Sequence, residues 1–387
     1  MIRKLKFKNF YSFRDEQIID FTVTKKKSEE YFESYDGTQI SKVMAFVGPN
    51  ASGKTSVMKL FGFLSFFITS SSRDTKDGSD ISFNQYAFSE LNPSFLYIEF
   101  ETQENLFTYE LKLDTKQIYQ ERLYKKTLKK RAKPFLVLNR TTDNVELNKT
   151  ILKSIPKKQL RLLRSDISLI AFLKANFDVP IINEIYEYFN LWFPNNINEA
   201  GYIASPESKM EGAAQGYLKI PSLKDKMEEF IKNFDVGIDR FHIESREKEI
   251  FVRGCHSVDN KEYTIPIEYE SHGTKTLFVD LFHILGGLEI GNCVIIDEIE
   301  TGLHPQAVDK LISYIIDHIR TSRKQFIFSS HSFNFLELFD AQQIHLVEKT
   351  DNRSEVFRLD TLGVRSDENF HSKYMSGAYG AFPKIRV

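Results

Sequence analysis

The residues that follow the apolar run 43–47 have the types and the spacing of a phosphate-binding loop. In order they are Gly48, Pro49, Asn50, Ala51, Ser52, Gly53, Lys54, Thr55 and Ser56. The glycines let the backbone turn so that successive N–H groups point at phosphate oxygens, and the N-terminus of a following helix favours the same anion. In such a loop the lysine reaches the β- and γ-phosphates and the threonine holds Mg²⁺. The alternative is a chance glycine turn before a helix.

Two adjacent acids end the apolar run VIIDE, residues 294–298. Buried carboxylates without partners are costly, so Asp297 and Glu298 at a strand end should face a cation or a reactive water. The functional interpretation is that Asp297 holds Mg²⁺ and that Glu298 polarises the attacking water as a general base. The alternative is that both acids cap the following turn.

A histidine follows the next apolar run. His331 lies in SSHS, directly after QFIF, where the end of a buried strand would bring it beside a γ-phosphate. A lone histidine is more often structural or exposed to solvent. Its place in the order of motifs favours a switch that senses the phosphate, and we assign catalysis to Lys54, Glu298 and His331.

A further motif begins the amphipathic stretch SHGTKTLFVDLFHIL, residues 271–285. Ser271 has the chemistry of a helix N-cap, and Gly273 keeps the turn open. One interpretation is simply a well-capped helix. The other is that Ser271 and the N-terminus of this helix bind a γ-phosphate, since both offer donors to an anion.

Hydrophobic patterns predict the elements that must position these residues. Alternating or continuous apolar runs predict strands at 2–10, 17–24, 43–47, 239–268, 293–297, 325–330, 343–348 and 355–359, and an antiparallel meander of three strands over 94–124. Apolar residues at helical spacing predict helices at 53–69, 150–200, 221–235, 273–288 and 306–320. Alternation of strands and helices predicts an α/β fold.

Composition narrows the class of protein. The chain has 387 residues, 41% of them apolar, and its 52 Lys+Arg and 53 Asp+Glu give a formal net charge of −1. Overall charge therefore favours neither nucleic acid nor membrane as a partner. The two cysteines, Cys255 and Cys293, lack metal-ligand spacing, which favours a reduced, cytoplasmic protein. No apolar run approaches the length that crosses a bilayer.

The order of the motifs resembles the ABC-type ATPases of the RecF/SMC/OLD group. Within that group it is most similar to the AAA-family ATPases of bacterial abortive-infection and anti-phage systems. The stretches that carry the resemblance are FKNFYSF (7–13), the phosphate-binding loop, ESHGTKTL (270–277), DEIETGLHP (297–305), FIFSSHS (326–332) and the tail 347–383, with Tyr374, Gly377, Tyr379, Gly380 and Pro383.

The resemblance implies a P-loop NTPase fold, an ABC-type ATPase head with an antiparallel β meander and an inserted helical lobe. It implies ATP and Mg²⁺ as cofactors, with Gln85 as the candidate Q-loop ligand of the metal. It also implies a homodimer or higher homo-oligomer, in which Ser271 and Gly273 reach the ATP of the partner. Glu298, Gly302 and His304 would then lie near the seam between the two copies.

The predicted organisation has three parts. An N-terminal ATPase lobe spans 1–125, a mainly helical insertion spans 126–238, and a C-terminal ATPase lobe spans 239–387. The basic stretches 122–133 and 157–164 are typical of solvated surfaces. If both fell on one surface, they could follow a nucleic-acid backbone.

Three functions are open, and the intact Glu298 and His331 count against one of them, a structural P-loop module with vestigial hydrolysis. The other two are as follows. The first is a nucleotide-dependent sensor and scaffold in anti-phage defence. It would control a separate effector or toxin from a neighbouring gene in response to a phage component. The second is a RecF-like DNA-repair ATPase that closes on DNA. The tail and the near-neutral charge favour the first.

Overall fold

The structure is a computed structural model. It describes residues 1–24, 28–88, 92–128, 132–150, 155–156, 158–195, 206–233, 237–247, 249–365 and 368–381. Among these residues, no helix combines the length and the apolar character that crossing a bilayer requires.

A six-stranded sheet forms the centre of the fold. Its strands, in spatial order, are β12 (Trp192–Asn195), β16 (Cys293–Ile296), β17 (Gln325–Ser330), β6 (Val43–Val47), β18 (Ile344–Thr350) and β19 (Arg353–Arg358). All neighbouring pairs are parallel except β18 and β19, which are antiparallel. The carboxyl ends of β6, β16 and β17 therefore meet at one edge, and the three predicted motifs follow these ends.

Both faces of the sheet are covered at its inner strands β16, β17 and β6, which explains why these strands are mostly continuous apolar runs. Along β6, Met44 and Phe46 belong to one hydrophobic cluster, while Val43, Ala45 and Val47 belong to the other. A strand buried on both faces shows no alternation of polarity.

A seven-stranded antiparallel sheet lies on one side of the core. In spatial order it contains β11 (Val145–Leu147), β10 (Phe135–Thr141), β9 (Ile118–Thr127), β8 (Asn105–Leu113), β7 (Ser94–Glu101), β1 (Ile2–Lys8) and β2 (Gln17–Asp20). The predicted meander over 94–124 is confirmed as β7, β8 and β9. Two smaller sheets are also antiparallel. The first contains β3 (Thr22–Val23), β4 (Tyr31–Glu33) and β5 (Gln39–Ser41). The second contains β13 (Arg240–Arg246), β14 (Glu249–Val258) and β15 (Lys261–Pro266).

Helices pack on both faces of the central sheet. The described helices are α1 (Lys54–Thr69), α2 (Ser71–Asp74), α3 (Leu169–Asn176), α4 (Pro180–Asn190), α5 (Pro206–Lys219), α6 (Pro221–Asn233), α7 (His272–Glu289), α8 (Pro305–Arg320) and α9 (Phe370–Met375). Helix α1 lies between the two large sheets, and its apolar residues share one cluster with both. Helices α5 to α8 contribute to the cluster on the other face.

Residues 126–238, predicted as an inserted helical lobe, contribute to several layers of the fold. The boundary at residue 125 falls inside β9, and β10 and β11 extend the same sheet. Helices α3 and α4 pack against α1, and α5 and α6 pack against α7. These elements share the clusters of the ATPase lobes because their apolar faces are buried there.

The prediction of helices over 150–200 is confirmed at α3 and α4 and is wrong at Trp192–Asn195. These residues form β12, an edge strand parallel to β16. Pro194 lacks a backbone N–H and therefore suits an edge strand, where one side needs no ladder hydrogen bonds. Residues 151–154, 157 and 196–200 of the same prediction lie outside the described part of the chain.

We expect replacement of His345 by phenylalanine to reduce the acid sensitivity of the fold. His345 is 1% exposed, stacks on Phe46 with ring centroids 5.1 Å apart, and neither ring nitrogen has a hydrogen-bond partner among the described residues. Burial lowers the pKa of His345 to about 3, whereas an unfolded histidine has a pKa of about 6.5. Between these values the unfolded chain binds the extra proton, so stability falls as pH falls.

From pH 7 to pH 5 this histidine should cost the wild type ~2 kcal/mol of unfolding free energy. Urea denaturation at both pH values should show a smaller loss in His345→Phe. The exposed His318 provides the matched control, His318→Phe, which should lose as much as the wild type. An equal loss in all three proteins would contradict the assignment.

Candidate functional site

The loop after β6 brings its backbone close to two other segments. A Cβ added to Gly48 would lie 2.1 Å from the carbonyl oxygen of Val347, and one added to Gly53 would lie 2.7 Å from the Ser354 hydroxyl. Gly53 also has a φ of 120°, which side chains disfavour. Both positions of the GxxxxGK[ST] pattern therefore require glycine on steric grounds.

The first turn of α1 offers unsatisfied donors beside this loop. Helix α1 begins at Lys54, and no described side chain caps its N-terminus or places an acid in its first turn. Asn50, Ala51 and Thr55 are exposed, so the loop backbone is accessible to a ligand. Free N–H groups at a helix N-terminus favour an anion.

Lys54 connects the loop to His331. Its Nζ donates to the carbonyl oxygens of Gly48 at 2.7 Å and Pro49 at 2.9 Å, and lies 2.9 Å from Nδ1 of His331. Burial lowers the pKa of Lys54 to about 8, while the carboxylates of Glu300, Asp297 and Glu298 oppose this effect. The ammonium remains mostly protonated at neutral pH and can only donate hydrogen bonds.

His331 in turn connects Lys54 to Glu298. Because Lys54 donates to Nδ1, the proton of the neutral ring lies on Nε2, which is 3.1 Å from Oε1 of Glu298. Glu298 has a φ of 52°, a strained conformation for a residue with a side chain and one often found at functional sites. The structure thus brings the three predicted catalytic residues together in one chain of contacts.

Asp297 lies deeper in the same site. It is 6% exposed and accepts a hydrogen bond from the hydroxyl group of Ser329, and the hydroxyl group of Thr55 lies close enough to affect its pKa. Burial raises the pKa of Asp297, and these hydroxyl groups oppose the effect. A buried carboxylate next to a threonine hydroxyl forms one face of a site suited to a hard cation.

A family profile described as "AAA domain, putative AbiEii toxin, Type IV TA system" matches residues 43–337, about three quarters of the chain. The chain belongs to this AAA family. The matched range includes the loop, Asp297, Glu298 and His331, and it ends before the tail 347–383 on which the resemblance relied.

Solved structures similar in fold include heads of SMC proteins. An SMC head bound to the C-winged helix domain of ScpA has a TM-score of 0.48 and 16% identity, covering 94% of this chain and 99% of that chain. The SMC head domain from Thermotoga maritima has a TM-score of 0.41 and 15% identity, covering 92% and 98%. No curated protein matches the chain in sequence.

Membership of the AAA family and the topology of the central sheet give the fold class predicted from the sequence. The fold is that of an ABC-type P-loop NTPase head, with mixed α/β structure and an antiparallel sheet. The family is one of ATPases, so nucleotide binding is expected of this chain.

The residues present fit a Mg²⁺-bound nucleoside triphosphate. The exposed loop residues Asn50, Ala51 and Thr55 leave backbone donors accessible, and Lys54 supplies a cation. No described group of three or more His, Cys, Asp or Glu residues could hold a metal by itself. In nucleotide sites Mg²⁺ is held by one or two protein oxygens, phosphates and water, and Thr55 and Asp297 supply neighbouring protein oxygens.

Two residues of this site were not predicted from the sequence. Glu300 accepts a hydrogen bond from the backbone N–H of His331, and its charge acts on Lys54. Ser329 donates to Asp297 and accepts from the backbone N–H of Glu298 at 2.9 Å. The spacing of acids in DEIE was a usable signal for Glu300, whereas SSHS, which begins with Ser329, was interpreted only for its histidine.

The Ser271 motif lies at the start of α7. The Ser271 hydroxyl accepts from the backbone N–H of Thr274 at 3.1 Å, which confirms the predicted N-cap. A Cβ on Gly273 would lie 2.5 Å from the carbonyl oxygen of Gly302, so the two loops pack backbone to backbone. Ser271 and Gly302 are both exposed. The side chain of His304 caps the N-terminus of α8.

Other residues separate Gln85 from the phosphate-binding loop. Its Nε2 donates to the carbonyl oxygen of Asn92 at 2.8 Å. The preceding residue, Asn84, accepts from the backbone N–H of Tyr11 at 2.8 Å, and Ser12 lies 3.3 Å from Ser56 through their hydroxyl groups. Among the described residues Gln85 has no hydrogen bond to Thr55 or Asp297, so its role as a metal ligand stays a prediction.

The basic stretches lie on separate elements. The first includes the end of β9, and the second includes the short 3₁₀ helix Gln159–Leu162. Residues 129–131, Lys157 and Pro383 of the tail lie outside the described part of the chain.

Proposed function

We propose that this chain binds and hydrolyses ATP and that hydrolysis switches it between two conformations. The observation that carries this proposal is the continuous set of contacts from Lys54 through His331 to Glu298, beside the Asp297–Thr55 pair. These groups follow the carboxyl ends of three strands of the central sheet, β6, β16 and β17. The proposal is tested by phosphate release from ATP, which should require Mg²⁺ and stop when the metal is chelated.

Each residue has a distinct task in this proposal. The loop 48–56 and Lys54 bind the phosphates, while Thr55 and Asp297 hold the metal, with Gln85 as the candidate third ligand. Bound Mg²⁺ neutralises charge that develops on the phosphates. Glu298 accepts the proton of the attacking water as general base, and its side chain is 45% exposed and can meet that water. His331 donates to the terminal phosphate. The position of the segment that follows His331 therefore depends on whether this phosphate is present.

A second copy of the chain completes the site. Ser271 and Gly273 lie at the N-terminal end of an 18-residue helix, and Ser271 is exposed. A helix N-terminus favours an anion. In a homodimer or higher homo-oligomer, this end of one copy would face the triphosphate held by the other copy, and ATP would stabilise the contact.

The proposed biological role is anti-phage defence. The family description names a toxin of a type IV toxin–antitoxin system, which supports abortive infection as the setting. In this role the ATP-bound oligomer senses infection in the cytoplasm and holds a separate effector, encoded by a neighbouring gene, until a phage component appears. Binding energy for the effector would then differ between the nucleotide states.

We expect the neighbouring gene product to copurify with the wild type and with Glu298→Gln, and to be lost with Lys54→Ala. Glu298→Gln should favour the ATP-bound oligomer, whereas Lys54→Ala should prevent it from forming. Pull-down with quantitative mass spectrometry measures this. Absence of the effector from every preparation would contradict the role, and salt-sensitive retention of DNA instead would support the RecF-like alternative.

A further inference from the structure

The C-terminal segment, residues 368–381, packs against the residues that follow His331. The ring of Tyr374 stacks on Phe333, with centroids 3.9 Å apart and planes 26° apart. Asn369 donates from its side chain to Glu337, four residues further along. The C-terminal segment therefore contacts the switch segment, residues 331–338, at two points.

Tyr374 is fixed in this position by its own segment. It is fully buried, and its hydroxyl group donates to the carbonyl oxygen of Ala381. Gly377 has a φ of 74°, which lets the chain reverse direction after α9, and its N–H donates to the carbonyl of Tyr374 at 2.8 Å. The reversed chain closes the segment around the Tyr374 ring.

The other end of the C-terminal segment is attached near the phosphate-binding loop. The backbone N–H of Ala381 donates to Oε2 of Glu348 at 3.0 Å. Glu348 follows Val347, whose carbonyl oxygen is in close contact with Gly48. One short segment thus joins the strand that supports the loop to the residues that follow the switch histidine.

Hydrogen bonds hold the main chain around His331, among them one from the Ser330 hydroxyl to the carbonyl oxygen of Ser332 at 3.3 Å. The N–H of His331 donates to Glu300, and the neighbouring Ser332 N–H donates to the Ser330 hydroxyl at 2.9 Å. Phe333 is the next side chain with an aromatic partner. A shift of Phe333 would move the His331 ring relative to Lys54 and Glu298, and displacements of about 1 Å can cost ~100-fold in rate.

We propose that Tyr374 is a positioning residue for His331. By stacking on Phe333, it holds the switch segment so that the His331 ring stays between Lys54 and Glu298. The C-terminal segment would thereby set the rate of hydrolysis without touching nucleotide. This inference rests on the proposed ATPase function.

The test compares Tyr374→Leu, which removes the ring, with Tyr374→Phe, which keeps it. Tyr374→Leu should lower kcat for ATP hydrolysis by ~10- to ~100-fold, with ATP affinity within about twofold of the wild type because the loop and Lys54 are unchanged. Tyr374→Phe should retain most of kcat. Phe333→Leu should reproduce the Tyr374→Leu effect, and the double variant should add little to it.

The His331→Ala background separates positioning from general destabilisation. In that background Tyr374→Leu should cause no further fall in kcat, because the residue that it positions is gone. An equal fall in both backgrounds, or wild-type kcat in Tyr374→Leu, would overturn the inference. If Tyr374→Leu does not fold, Phe333→Leu in the two backgrounds decides in the same way. A wild type that hydrolyses no ATP would instead refute the proposed function.

Discussion

Replacement of Glu298 by glutamine should lower the rate of ATP hydrolysis by ~100-fold or more, in the range that general bases contribute. The amide keeps the size of the side chain and can still accept a hydrogen bond from Nε2 of His331, which lies 3.1 Å from Oε1 in the native protein. It cannot take the proton of the attacking water. ATP should therefore remain bound, and the oligomer that it stabilises should accumulate.

Two measurements check this expectation on the same preparations. Phosphate release gives the rate of hydrolysis, and light scattering with and without ATP gives the oligomeric state. The exposed Glu104 supplies a matched control, Glu104→Gln, which should behave like the wild type. Undiminished turnover in Glu298→Gln would remove Glu298 from the role of general base.

Replacement of Lys54 by alanine should weaken ATP binding by ~100-fold or more. Lys54 is 3% exposed, and its ammonium now bonds to the carbonyl oxygens of Gly48 and Pro49 and to His331. In the ATP complex it would donate to phosphate oxygens instead. Hydrogen bonds to charged groups contribute about 1.5–3 kcal/mol each, so losing two of them gives an effect of this size.

Equilibrium titration with a fluorescent ATP analogue measures the affinity. Lys310→Ala, at an exposed position of α8, removes the same charge far from the loop and should bind ATP normally. The Lys54→Ala protein should also lose protection against phage. Protection that survived the loss of ATP binding would contradict a switch driven by nucleotide.

Much of the site was predictable because its motifs follow apolar strands directly. The predicted helices at 53–69 and 306–320 are confirmed as α1 and α8, and the meander is confirmed as three paired strands. Parallel strands bring their carboxyl ends to one edge, so a short pattern after each strand was enough to predict that Lys54, Asp297 and His331 would lie together.

Contacts between distant segments were not predictable in the same way. Nothing in the sequence pairs Tyr374 with Phe333 or Glu348 with Ala381, since these contacts depend on how the tail folds back. The placement of α3, α4 and β12 was also not predictable, because burial in a shared core, and not local pattern, decides where these elements belong.

The most direct test of the central claim is a crystal structure of Glu298→Gln with ATP and Mg²⁺. We predict one triphosphate along the backbone of residues 48–55, with Lys54 and His331 at its terminal phosphate, the metal held by Thr55 and Asp297, and Ser271 of the partner subunit opposite. A nucleotide bound elsewhere, or a metal without Asp297 among its ligands or their water shell, would contradict this account.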